Sequence, residues 1–236
     1  MSSLIEAVQD LPASVLVPAA FTLVGTVIGL WIRRRREKRG ELGPGVRDTI
    51  LEPLGYLPAD LRHGVAPTPT RSAEDRWLLG LAAPFVEGAG MLHDRWSLVP
   101  ARTNAAWNRH LREVATRRGV VNSRDWKRQV KRFEIGLADI PGSAEGDPLR
   151  AWEVAHLAIT LRLGVALRHT TARSARARLA AAAAPMRTRF ADWYRFGDAF
   201  VQAAEWLLPG RTYDLRADTR LLYAEGGPWH DPAWPQ

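Results

Sequence analysis

The chain has no cysteine among its 236 residues. That excludes disulfide staples, thiolate nucleophiles and zinc–cysteine sites together, and it suits a domain facing a reducing compartment. Alternating valine and isoleucine runs are missing as well, so nothing in the pattern predicts a sheet. There is no Gly-x-Ser-x-Gly nucleophile elbow, no phosphate-cradling Gly-x-x-x-x-Gly-Lys and no His-Glu-x-x-His. His63, His93, His110, His169 and His230 show no metal-ligand spacing. The residues therefore point to no cofactor, no metal and no familiar reaction. Motif absence excludes only known motifs, and an enzyme with an unfamiliar site stays open.

Charge is missing altogether from Ser14 to Ile32, SVLVPAAFTLVGTVIGLWI, and Arg33, Arg34, Arg35 and Arg36 follow without a gap. At about 1.5 Å per helical residue, such a run just crosses a hydrocarbon core about 30 Å thick. Basic residues stay on the cytoplasmic side, and residues 1–13 hold Glu6 and Asp10 but no Lys or Arg. The expectation is a single-pass helix over 14–32, with a short extracytoplasmic N-terminus and all later residues in the cytoplasm. A cleavable signal peptide would want the opposite charge order and a small-residue cleavage site, where Trp31-Ile32-Arg33 stands. A soluble core helix would usually show a polar stripe, and an interfacial helix needs a charged face. Only Thr22 and Thr26 are strongly polar here, and both hydroxyls can bond back to the helix's own carbonyls. Gly25 and Gly29 have the spacing that lets two membrane helices approach closely, which suits a homodimer, although glycine is common in such helices anyway.

The formal net charge is +8. Between Arg33 and Arg39 six cations oppose Glu37, a net of five, while Glu6 and Asp10 subtract two, so residues 40–236 together carry +5. Much of the basicity therefore flanks the proposed anchor, where cations attract anionic lipid headgroups by about 1 kcal/mol each. A nucleic-acid footprint would need a concentrated patch with stacking aromatics. Its best candidate, Arg124-Asp125-Trp126-Lys127-Arg128-Gln129-Val130-Lys131-Arg132, reads more simply as the wet face of a helix.

Residues 33–71 form a basic flank and a Pro/Gly-rich tether, with GELGPG and RHGVAPTPTR too rich in breakers for a regular element. A helical domain is expected over 72–236. Ser72 caps a helix carrying Trp77, Leu78, Leu81, Ala82 and Phe85 to the glycines at 88 and 90. A second helix starts near Thr103 and ends at Arg117-Arg118-Gly119, and a third opens at Ser123 with Asp125. IPGSAEGDP reads as a loop. The next helix, from Leu149 to about His169, is apolar nearly all round and so should be central. An alanine-rich helix from Ser174 should kink or break at Pro185, and Asp192 should cap a last long helix bearing Trp193, Phe196, Phe200, Ala203 and Leu207. The tail GGPWHDPAWPQ should lie across the core as a strap. The fold class is thus all-α: one N-terminal transmembrane helix, then a multi-helix cytoplasmic domain.

On the central helix Glu153, His156, Thr160, Gly164 and Arg168 share one stripe at 100° per residue, with Arg162 on the opposite side among alanines. A buried arginine demands a carboxylate or a set of backbone carbonyls. The expected partner is an acid on another helix, with Asp198 and Glu205 favoured. Glu153-x-x-His156 is half of a di-iron carboxylate site, but no second Glu-x-x-His exists, and a surface or capped polar stripe is the simpler reading.

The order of landmarks from Arg76-Trp77 onward resembles an uncharacterised bacterial family, the domain of unknown function 1266. Ala151-Trp152-Glu153 followed by Arg162-x-Gly164 looks like that family's Trp-Asp/Glu opening and later Arg-x-Gly. Asp192-Trp193 with Phe196-Gly197 is similar to its Ser-Trp-x-x-Phe-Gly, and Pro228-Trp229 with Trp234 to its closing Pro-Trp-x-x-Pro-Trp. The chain departs in having His156 where the family often has Arg, and Asp192 where it often has Ser. The resemblance covers most of the domain and none of the anchor, and it implies a fold but no established activity.

Two functions from different classes follow. One is a membrane-anchored cytoplasmic domain acting as a protein-interaction or adaptor module for an unidentified partner, without nucleic acid. The other is an enzyme or small-molecule binder using a polar pocket around Glu153, His156, Thr160 and Arg162.

Overall fold

Seventeen consecutive residues, Pro148 to Gly164, are buried on a single helix, and the other elements are arranged around it. The computed structural model describes residues 72–100, 103–208, 219–225, 227–230 and 234–235. These residues are helical, with no strand among them. In chain order the helices are α1 (Ala73–Gly80), α2 (Ala83–Gly88), α3 (Ala105–Arg117), α4 (Ser123–Ala138), a 3-10 turn (Ala144–Gly146), α5 (Asp147–Ala166), α6 (Ala172–Ala183), α7 (Met186–Arg189) and α8 (Trp193–Leu207). The helix expected over 14–32, with Gly25 and Gly29, and the arginines at 33–36 lie outside the described residues. Among those residues no helix is long and apolar enough to cross a membrane.

Local chemistry sets the starts. Ser72, Asn104, Asn122, Thr171 and Asp192 each accept the backbone N–H three residues on, satisfying a donor that the first turn leaves open. Asn122, not Ser123, caps α4, and Thr171 starts α6 before Ser174. The expected loop at 140–148 contains a 3-10 turn, and Asp147 and Pro148 already belong to α5. Proline suits that position because its missing N–H would have no intrahelical acceptor there.

The run read as one helix from Ser72 to Gly88 is two. Pro84 sits in the first turn of α2 and has no N–H to donate to the Gly80 carbonyl. That carbonyl instead accepts from Trp229 Nε1 at 2.8 Å. Break and tail are thus coupled: the proline frees an acceptor that a residue 149 positions away occupies.

α5 packs most extensively on α8 and α4, then on α6 and α2. Its contact with α4 depends on Gly164, where an added Cβ would lie 2.2 Å from Trp126 Nε1. Without that Cβ, Trp126 lies against the α5 backbone and donates to the Thr160 carbonyl at 3.0 Å. Gly164→Ala should force the ring away and orphan the carbonyl. The combined overpacking and lost hydrogen bond, less the helix propensity gained, predict a loss of about 2–3 kcal/mol in denaturant unfolding.

α8 turns Trp193, Phe196, Phe200 and Ala203 inward as its sequence required, but Leu207 at its end is only half-buried. Pro185 does interrupt the alanine-rich helix, between α6 and α7. The tail covers the N-terminal half of α8, with Trp229 stacked on Trp193 at 5.4 Å and Trp234 edge-on to it at 4.7 Å.

Candidate functional site

The polar residues of α5 are inside the protein. Glu153, His156 and Thr160 are each 2% exposed and Arg162 is 0% exposed. Of the two simpler expectations for the stripe, the surface form is therefore corrected, and burial is compatible with the capped one. α4 and α2 cover it.

His156 sits in an aromatic sleeve. Its ring stacks on Phe133 of α4 at 5.2 Å and meets Phe85 of α2 at 4.3 Å and Trp152 at 4.6 Å. One turn toward the helix N-terminus lies Glu153, and one turn toward the C-terminus is Thr160, whose carbonyl holds Trp126. Arg162 faces another way. Its guanidinium donates to the carbonyls of Leu92 and Arg95 at 2.7 Å each, of His93 at 3.2 Å and of Leu79 at 3.3 Å. The backbone-carbonyl alternative is thus the arrangement present. Asp198, one of the two favoured acids, is exposed on the outer face of α8. The four residues expected around one pocket are split: three lie on the α4 side of α5, and Arg162 clamps the connection that follows α1 and α2.

Among the described residues no group of three or more His, Asp or Glu side chains could hold a metal ion.

Sequence reasoning missed Arg118, which it read only as a cation at the end of α3. The guanidinium lies 4.2 Å from the centre of the Phe85 ring, on the residue that also borders His156. Its Nε is buried with no hydrogen-bond partner among the described residues. Burial pushes the group down to about 9, so it stays charged at neutral pH. The only sequence signal was an arginine just before Gly119, which closes α3 with φ of 67°. Such a cation costs desolvation that the ring offsets by about 1–2 kcal/mol. Arg118→Leu should therefore be neutral or up to about 1 kcal/mol stabilising at pH 7. Between pH 9 and the higher pH at which an unfolded arginine titrates, the folded guanidinium binds fewer protons than the unfolded one, so the wild type gains stability with rising pH there. The gap between variant and wild type should narrow above pH 9, read by urea unfolding at each pH.

Outside, the charge is uneven. Residues 105–138 hold nine Lys or Arg against Glu113, Asp125 and Glu134, a net of +6. Residues 40–236 together carry +5, so everything else in that span sums to −1. The positive balance of the domain thus resides on α3 and α4. An open trough runs along the outer face of α3, lined by Asn108, Arg109, Arg112, Glu113, Thr116 and Arg117. On α4, Arg124, Lys127, Arg128 and Lys131 are exposed.

Compared with protein-family models, curated proteins and solved structures, the chain matches none.

Proposed function

We propose that this chain is a membrane-anchored cytoplasmic helical domain that works as an interaction or adaptor module through its exterior. The anchor rests on the charge-free run 14–32 and the arginines at 33–36. The observation that carries the module reading is the burial of Glu153, His156, Thr160 and Arg162, each 2% exposed or less, which commits the central polar groups to packing. The enzymatic alternative requires a substrate to reach those same groups. The likeness to the domain of unknown function 1266 belongs to this proposal too; its support is the order of Trp152-Glu153, Arg162-x-Gly164, Trp193 and the tail tryptophans.

Topology tests the anchor. A reporter fused at the C-terminus should behave as cytoplasmic, and external protease on intact cells should leave residues after Arg36 untouched. An extracytoplasmic C-terminus in the unmodified chain defeats the reading. The module is tested by crosslinking in intact membranes and affinity recovery after detergent extraction, where a stoichiometric protein partner is expected. Recovery of none across several growth conditions, with the domain folded, counts against it.

A further inference from the structure

The basic pair of helices has a second property that a merely solvated face does not need. The turn between α3 and α4 presents Val121 at 67% exposure, the most exposed of the large aliphatic side chains among the described residues. No acid lies between Glu113 and Asp125, so the outward charges nearest that tip are Arg117 and Arg124, with Arg118 turned in on Phe85. Along α4, Arg124, Lys127, Arg128, Lys131 and Ile135 fall within about 100° of arc, and Ile135 is 40% exposed. Arg128 is tied to Asp125 at 2.7 Å, whereas the other three cations of the row have no acid bonded to them among the described residues. An aliphatic tip and a cationic row with a second aliphatic group match the chemistry of a lipid surface. Charge meets the phosphates, and the small apolar groups reach the acyl boundary.

We infer that the α3–α4 turn and the outer row of α4 dock the domain on the anionic leaflet beside its anchor. Resting on the membrane-anchored reading, this inference names the surface on which the domain sits. The link is short enough to favour it. Residues 33–71 are 39 residues, which span about 140 Å at most when fully extended. A tether of that length holds the domain near the leaflet at high effective concentration, so each contact can be weak and still be occupied. Each cation brought to an anionic surface is worth about a fivefold gain in partitioning, and the effect is screened by salt. A duplex nucleic acid would also attract the row, but it gives an aliphatic tip no apolar phase to enter.

The absence of native cysteine makes the test direct. Full-length Val121→Cys, labelled with an environment-sensitive fluorophore, is placed in nanodiscs, which leave both leaflets accessible. The lipid is phosphatidylcholine alone or with about a third phosphatidylglycerol. The expected result is a blue-shifted probe, quenched by a lipid-phase quencher, in the anionic discs only. The signal should be lost at high salt and at least tenfold weaker, by titration of the anionic lipid fraction, in Arg124→Gln/Lys127→Gln/Lys131→Gln. All three positions are exposed, and circular dichroism checks that the variant is folded. A probe that stays in water in the anionic discs overturns the inference, as does equal insertion into neutral lipid. So does a probe shifted by duplex DNA but not by anionic lipid. Failure of the anchor is seen separately, as loss of the chain from phosphatidylcholine discs on size-exclusion. In that case anionic vesicles added to the free chain still read the face.

Discussion

Replacing Trp229 and Trp234 together by alanine is expected to remove about 6 kcal/mol or more, enough to leave the domain without fixed tertiary structure. The two rings close one aromatic cluster from different sides. Trp229 stacks on Trp193 with planes 11° apart and meets Phe196 edge-on at 5.9 Å. Trp234 contacts Trp77 of α1 at 5.7 Å, Phe190 at 6.1 Å and Phe196 at 5.7 Å. Both are nearly buried, at 3% and 6% exposure. Truncating one buried tryptophan costs about 3–5 kcal/mol. The rings share Trp193 and Phe196 as neighbours, so the two losses should fall somewhat short of additive. Trp229→Phe separates the terms: it keeps an aromatic face but leaves the Gly80 carbonyl without the indole N–H, for a loss of about 1–3 kcal/mol. Near-UV circular dichroism and chemical unfolding of the full chain measure both variants. A double variant unfolding within about 1 kcal/mol of wild type would show that the tail only rests on the core.

The same tail shows what could be read from residues alone. That a Pro- and Trp-rich terminus would cross the core followed from its composition. The sequence had no means of linking Trp229 to Pro84, because the bond exists only where a missing amide leaves a carbonyl free. Helix identities were legible because caps and apolar periodicity act within one turn: Asp192 accepts from the Arg195 amide at 2.8 Å, and the inward face of α8 carries its aromatics. The opening of α4 at Ser123 was read directly, and a boundary shifted where a second capping residue lay a few positions upstream, as with Thr171 ahead of Ser174. The stripe of Glu153, His156 and Thr160 was placed on one side of a helix read as central, but whether that side met water or a cover stayed open. A helical wheel gives direction about an axis and not what lies beyond it, and Phe133 and Phe85 come from separate helices. The basic helices illustrate the converse. Their charge was visible residue by residue, but exposed Val121 becomes informative only once the turn between α3 and α4 is seen to hold it out.

Arg162 is the other position where a single change should be felt through the whole domain. Acids on neighbouring helices looked like its natural partners because side-chain charge can be read from a sequence, whereas a free carbonyl cannot. The acceptors arise from irregular backbone. α2 ends at Gly88, Gly90 follows with φ of 63°, and the chain then turns repeatedly, with the Leu92 amide bonded to the Leu98 carbonyl at 2.9 Å. The carbonyls of Leu92, His93 and Arg95 surround Nη2 and that of Leu79 on α1 meets Nη1, so both arms of the planar fork are engaged. Arginine suits the position because its donors are fixed in one plane, and lysine offers a single nitrogen. Arg162→Ala should cost about 3–5 kcal/mol, through orphaned carbonyls and the space left by a fully buried side chain. Arg162→Met fills most of that space but supplies no donors, and should recover less than half of the loss. Arg162→Lys should fall between Met and the wild type. On an anion-binding role for Arg162 the order would differ: alanine would leave the unfolding midpoint nearly intact while ligand binding disappeared. Hydrogen exchange locates the effect, with protection at residues 89–100 expected to fall first in all three variants, since Arg162 bonds the backbone of those turns to α5. Unchanged exchange there in Arg162→Ala would refute the clamp.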